Sequence, residues 1–356
     1  MSSKQSIQTF QPRRPFMGNH SRRKTGLGTV CLLTAALTLA ASGAGADSFE
    51  LHDGVLVSVA DGAVYVMATQ GGIDALDLDS GNVIWHNDQA AKPLAVDNHT
   101  LIAQGEATAA GELPLVVFDT RGTGVPTHNA RLPLPAHVRG QAEDTLRNSF
   151  TAKAEIVDGQ VQLHWKSQIR PAKGISPQVR EDLTGPVDAT GKSLAATVPP
   201  SAALIDSGAA LLDLASGEVR STAALKSMSA SGVSLTELTG VDRLAGVDGR
   251  QFLSADGRHV LASIRNADKS RHARHTWLLH DRQTGERVGT TAQPISASPF
   301  LVVDGALVLV TPPQTYPIEG DWAIESIAVR SFDLATGAQL WSKAVRDAEY
   351  SGPMPH

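Results

Sequence analysis

Short apolar runs, most of them alternating with polar residues, follow one another along the chain and are broken at close intervals by Gly, Asp and Asn, while helical periodicity is scarce. Five of the breaks are Asp-Gly or Asp-Asn turns between two strand-like runs. They are Asp61 in SVADGAVYVMA, Asp97 in LAVDNHTLIA, Asp158 in EIVDGQVQLHW, Asp256 in FLSADGRHVLASI and Asp304 in FLVVDGALVLVT. Such dipeptides accept the positive φ angles of a two-residue hairpin turn. A second kind of break reads Asp, two residues, Ser or Thr, then Gly. It occurs at Asp77, Asp213, Asp281 and Asp333, with a looser version at Asp119 in VVFDTRGTG. Each follows a strand-type run (IDAL, LVVF, AALL, TWLL, AVRSF), and four are followed by another (NVIW, EVRS, ERVG, AQLW).

The two kinds interlock: Asp61 with Asp77, Asp97 with Asp119, Asp158 with Asp213, Asp256 with Asp281, Asp304 with Asp333. One unit therefore reads strand, Asp-Gly turn, strand, variable link, strand, Asp turn, strand. The predicted fold is all-β, a β-propeller of four-stranded antiparallel blades, with five blades readable and length for up to seven. In the second motif, Asp77, Asp213, Asp281 and Asp333 are expected to accept N–H bonds from the turn that follows. Gly81, Gly217, Gly285 and Gly337 supply the left-handed conformation. Trp85 and Trp341 are read as wedges between neighbouring blades rather than as a ligand cage.

Several stretches fit the unit less well. HVRGQAEDTLRNS, residues 137–149, is the best helical candidate. Residues 226–247 are read as a degenerate extra strand pair. FELHDGVLVSVA is expected to close the ring by adding a strand to the last blade. Two long polar links, 171–200 and 312–326, are read as loops. The second forms a candidate contact loop around Tyr316, Asp321 and Trp322, because aromatic residues dominate binding hot spots.

Charge changes the picture at the N-terminus. Residues 1–26 carry Lys4, Arg13, Arg14, Arg22, Arg23 and Lys24 and no acid; an apolar run and Ala44-Gly45-Ala46 follow. That is the pattern of a secretory signal peptide, and the apolar run is shorter than the roughly 20 residues of a membrane span. Arg22-Arg23 hints at twin-arginine export. The expected layout is a signal peptide over 1–46, a single domain over 47–350 and a disordered tail over 351–356, in an exported protein, periplasmic or secreted, without a membrane span in its mature form. Six of the 31 basic residues precede Asp47 but none of the 36 acids does, so the remainder carries a net charge of −11. That surface disfavours nucleic acid. Cys31, the one cysteine, lies in the leader, which leaves the rest without disulfides, thiolate nucleophiles or cysteine metal sites.

ADGAVYVMATQGGIDALDLDSGNVIW and VDGALVLV with AVRSFDLATGAQLW resemble the repeat of the PQQ-like β-propeller family, in which an Asp-Gly hairpin precedes Ala-x-Asp-x-x-Thr-Gly and a Trp. The resemblance is good over 51–90 and 295–345 and fair over 205–220 and 250–290. The family includes quinoprotein alcohol dehydrogenases and non-catalytic members such as the propeller lipoprotein of the outer-membrane barrel-assembly machinery. For the dehydrogenases the resemblance implies PQQ, a calcium site of oxygen ligands beside a catalytic carboxylate, and often a vicinal disulfide, for which this chain has no cysteines. No catalytic residue or metal ligand is assigned. The segment KSRHARHTWLLHD, with His272, His275 and His280, is read as a solvated blade edge; His86 and His164 are read as strand decoration. The favoured function is a non-catalytic scaffold that binds another protein through blade loops, with no cofactor. The alternative is a PQQ- and calcium-dependent dehydrogenase, or another enzyme with a central polar pocket.

Overall fold

A computed structural model describes residues 48–106, 111–138, 140, 148–169, 204–222, 235–265, 275–291, 297–318 and 321–346. Within them the backbone forms antiparallel sheets and a single 3-10 turn, Gly240–Asp242. Blade 1 comprises β1 (Ser48–His52), β2 (Val55–Ser58), β3 (Ala63–Met67), β4 (Ile73–Asp77) and β5 (Val83–Asn87) in that order. Blade 2 comprises β6 (Ala90–Asp97), β7 (Thr100–Gly105), β8 (Glu112–Asp119) and β9 (Pro126–Pro133). Blade 3 comprises β10 (Asn148–Val157), β11 (Gln160–Ile169), β12 (Leu204–Asp213) and β13 (Val219–Thr222). Blade 4 comprises β14 (Thr236–Leu238), β15 (Arg250–Leu253), β16 (His259–Arg265), β17 (His275–Asp281) and β18 (Arg287–Thr290). Blade 5 begins with β19 (Phe300–Val303) and β20 (Ala306–Thr311), passes through a separate hairpin of β21 (Gln314–Ile318) and β22 (Asp321–Glu325), and ends with β23 (Ala328–Asp333) and β24 (Gln339–Ala344).

All five interlocking turn pairs bound the strands that the sequence predicts. The hairpin turns use positive φ at Gly62, Asp158, Gly159, Asp304 and Gly305, and at Asn98 and His99 in the turn that lacks a glycine. The second motif folds as expected. The carboxylate of Asp77 accepts from Ser80 N at 2.8 Å and Ser80 Oγ at 2.6 Å; Asp213 does the same for Ser216, Asp281 for Thr284 N, and Asp333 for Thr336.

Apolar faces join the blades in sequence around an arc. Tyr65, Ala75 and Trp85 of blade 1 pack on Leu101, Val116 and Phe118 of blade 2. The other face of blade 2, with Ile102, Leu115 and Val117, packs on Leu163, Trp165 and Leu212 of blade 3. Blade 4 meets blade 5 through Phe252, Trp277, Leu309 and Phe332. Blade 5 returns to blade 1 through Val308, Val329 and Trp341 against Val64, Val66 and Leu76. Each such fully buried side chain contributes roughly 1.5–3 kcal/mol, more than a single net hydrogen bond at about 1 kcal/mol. Inter-blade apolar packing therefore sets the stability, and polar links set the register. Strands covered on both sides read as continuous apolar runs: β2 and β3 are buried at every position.

Four expectations are corrected. β1 does not add to the last blade. It pairs with β2 as a fifth strand of blade 1 and only lies against β19 and β20. Residues 226–247 hold one extra strand, β14, among the described residues, and its partner is β15. The stretch 312–326 is a two-stranded ribbon in which Tyr316 pairs with Ala323, Pro317 with Trp322 and Ile318 with Asp321. Backbone pairing wins there because Thr315, Tyr316, Trp322 and Ile324 favour strands more than the two flanking prolines oppose them. In the helical candidate, residues 148 and 149 already belong to β10; 141–147 lie outside the described residues, as do 171–200 and the tail 351–356.

Candidate functional site

The blade motif residues converge on the seams. In blade 1, Leu76 pairs with Val83 but Ala75 with Trp85, so Ile84 is bulged out of the ladder. The same shift occurs before His128 in blade 2, Gly289 in blade 4 and Trp341 in blade 5. A bulge reverses which face the following residue presents. Here it turns the residue four places after the motif glycine toward the next blade. Trp85 lies over Gly124, where an added Cβ would stand 2.7 Å from the indole. Trp341 lies over Gly81, with a Cβ clearance of 2.6 Å, and donates from Nε1 to Leu78 O at 3.0 Å. His128 takes the tryptophan's place in blade 2 and donates from Nε2 to Leu214 O at 2.9 Å. Gly289 lets blade 4 approach the Leu334 carbonyl directly. Trp85 and Trp341 thus fill the space between neighbouring blades over the Gly124 and Gly81 turns, and Asp77, Asp213, Asp281 and Asp333, with Gly81, Gly217, Gly285 and Gly337 at positive φ, shape the second turn of their own blades.

Charge gathers where the inner strands meet. β6 lies beside both β2 and β10, and β1 pairs with β2 at the edge of blade 1. Asp53, in the turn after β1, accepts from Lys92 Nζ of β6 at 2.6 Å, and Lys92 is only 3 % exposed. Glu50 of β1 faces Lys153 Nζ of β10 at 3.6 Å. Burial raises the Glu50 pKa above the usual carboxylate range, and Lys153 opposes part of that rise. Arg346, just past β24, donates its backbone N–H to Met67 O and its guanidinium to Ala91 O. Arg346 thus clamps blades 1 and 2. Blades 1, 2 and 3 are tied to one another through this cluster, as non-adjacent blades can be only near the axis.

A calcium ion takes six to eight oxygen ligands. Among the described residues, the carboxylates here, Asp53 and Glu50, instead face ammonium groups, and this pair does not make a calcium donor set. Among the described residues no three of His, Cys, Asp or Glu converge. His275 meets Ser263 Oγ through Nδ1, and buried His280 donates from Nδ1 to Gly285 O. His272 lies outside the described residues. His86 holds the buried Asp74 at 2.7 Å, with Lys343 of blade 5 at 3.4 Å on the other oxygen. His164 is half-buried on β11.

Sequence reasoning missed the axial lysines and three cross-blade histidine links. His99 donates from Nδ1 to the buried Asp61 carboxylate at 2.5 Å, His137 reaches Asp206 at 2.7 Å, and His128 is described above. Only His128 carried a readable cue, its position four residues after Gly124.

The two edges of the sheets differ. The motif turns and the five Asp-Gly or Asp-Asn hairpin turns that precede them fall on one edge. Strand order puts the ends joined by 106–111, 134–147, 170–203, 266–274, 291–299 and 312–327 on the other. Asp53 and Arg346 lie on this second edge. Among the described residues no helix is long and apolar enough to cross a membrane.

No protein-family model matches the chain, and no curated protein does. Among solved structures, a europium-containing methanol dehydrogenase is 11 % identical, with 81 % of this chain and 61 % of that one covered and a TM-score of 0.26. The Cps50 (Swd1) β-propeller domain of Myceliophteria thermophila is 8 % identical, with 84 % and 87 % covered and a TM-score of 0.23. The quinohemoprotein alcohol dehydrogenase ADHIIG from Pseudomonas putida HK5 is 15 % identical, with 85 % and 44 % covered and a TM-score of 0.20. This chain spans about three fifths of the first and less than half of the third. Likeness at this level carries no weight for fold or activity; the blades rest on their own pairing and packing, and together they make an all-β, propeller-type array of antiparallel sheets.

Proposed function

We propose that the chain is a non-catalytic binding scaffold, exported to the periplasm or beyond, which engages another protein through the edge that carries its long connections. One observation carries this reading. Lysine–carboxylate pairs from the β1 strand and the turn after it reach β6 and β10 and so join three blades, and that region serves as a clasp. The variable connections, including 171–200 and 312–326, leave from one edge, and binding residues on rigid repeat scaffolds concentrate on such segments. The export part rests on the basic and apolar N-terminal pattern.

The test is affinity capture from a periplasmic extract with the mature chain and with a variant in which a short Gly-Ser linker replaces 171–200. Loss of a specific partner with an unchanged thermal melt is the expected result. Capture that is indifferent to both this replacement and an equivalent one at 312–326 would count against the scaffold. A quinone absorption band and dye-linked alcohol oxidation after incubation with PQQ and Ca²⁺ would overturn it in favour of the dehydrogenase.

A further inference from the structure

Blades 1, 2, 4 and 5 each turn the residue four places after the motif glycine toward the next blade; blade 3 does not. Its β12 and β13 pair without a register shift. Ser221, four residues after Gly217, therefore lies beside Ala210, on the face that packs against blade 2. The other face of blade 3, toward blade 4, is wet: Gln160, Lys166, Ser207 and Arg220 are exposed, and Ile205 is 56 % exposed. No apolar cluster joins blades 3 and 4 among the described residues. In blade 4, Gly285 has φ +73° and nothing within 4 Å of where a Cβ would stand. Its counterparts Gly81 and Gly124 have the same backbone and lie under indole rings. The Asp281 turn is thus a built wedge socket without a wedge.

The stretches 170–203 and 223–234, which flank this seam, contain no Trp, Tyr, Phe or His. Arg258, Arg282 and Arg287, in the two turns at this edge of blade 4 and at the start of β18, are exposed. The carboxylates of the same two turns, Asp256 and Asp281, are engaged by their own turns. We propose that the seam between blades 3 and 4 binds an extended segment of a partner protein carrying one indole or imidazole flanked by carboxylates, with the ring over Gly285 as Trp341 lies over Gly81. It continues the inter-blade interface across the seam where the described residues of blades 3 and 4 share no apolar cluster. The assignment rests on the reading of the chain as a binding module and names the partner's chemistry.

The probe is a fluorescein-labelled acidic pentapeptide with a central tryptophan, read by anisotropy. Saturable binding is expected, weakened about tenfold or more when the tryptophan becomes alanine or the acids become lysines. Gly285→Leu should weaken it to a similar degree, and so should Arg287→Glu, a surface change that leaves the turn alone. Gly305→Leu, with φ +81° and the same open surroundings, is the matched control and should bind normally. Equal binding of the alanine peptide, no saturation at millimolar peptide, or indifference to both blade 4 variants would overturn the proposal. Self-association that Gly285→Leu abolishes would seat a second copy there instead and equally overturn it. A captured partner that the tryptophan peptide does not displace leaves the scaffold standing while this seat falls; peptide binding without any capturable partner does the reverse.

Discussion

Glycine at a seam does two jobs that substitution can separate. Gly81 and Gly305 both sit at positive φ, 69° and 81°, where any Cβ is strained. Only Gly81 has a ring on top of it. Gly305→Ala should therefore lose about 1 kcal/mol from backbone strain, and Gly81→Ala should lose that plus roughly 1–3 kcal/mol more from overpacking. Urea unfolding of the pair measures the difference; equal losses would mean that Trp341 yields freely. His99 makes the converse trade. It accepts φ +62°, where four other turns use glycine or aspartate, and in return holds Asp61 across the seam between blades 1 and 2. Burial alone would raise the Asp61 pKa; the bonds from His99 and Ser58 outweigh it and hold the carboxyl below its ordinary range.

At the scale of elements, the four motif turns respond to pH as a set. Hydrogen bonds from Ser80, Ser216, Thr284 and Thr336 hold Asp77, Asp213, Asp281 and Asp333 below the usual carboxylate range. Their folded pKa values are depressed, so the unfolded chain binds more protons as pH falls. The stabilisation is complete above the unfolded value near pH 4 and is lost as pH drops through the folded values. The urea midpoint should hold steady between about pH 7 and 5 and fall below about 4. Asp77→Asn should start lower and fall less steeply; an identical slope would show that the turns do not drive acid unfolding. These turns were legible because the residues that make them are adjacent in the chain. The bulges were not. In NVIW and AQLW the exposed Ile84 and Leu340 look like core residues, and only the pairing shows them to be pushed out to let the tryptophan face the next blade. Blade 3 was half legible. Gln160, Gln162, His164, Lys166 and Gln168 alternate with Val161, Leu163, Trp165 and Ser167, which announces a sheet wet on one face. The hairpin β21–β22 was hidden by its prolines.

Across the whole molecule, the axial pairs are the part that sequence could not reveal. Lys92 is 39 residues from Asp53, and nothing local to either marks the partner. Removing one member of a buried pair costs more than the pair itself contributes, because a charge is left behind. Lys92→Met should destabilise by roughly 3 kcal/mol. Glu50→Gln should change stability by less than about 1 kcal/mol, since Lys153 is 36 % exposed and can turn to water. Glu50 also opposes the turns in its pH response. Its folded pKa is raised, so this group favours the folded state more as pH falls toward its unfolded value. Denaturant titration of both variants reads the ranking, and a reversed order would show that the clasp lies at Glu50 and not at Lys92.

Trp341 donates to a carbonyl 263 residues earlier in the chain. Contacts of such long sequence separation form late, because the loop between them must close before they yield anything. A chain made from its N-terminus shows the valine-rich flank of blade 1 to its surroundings until residues 300–345 exist. Such surface on an incomplete chain is aggregation-prone. Completion by the last blade therefore acts as a timing device: blade 1 gains cover on this flank only once the strands of blade 5 have been made.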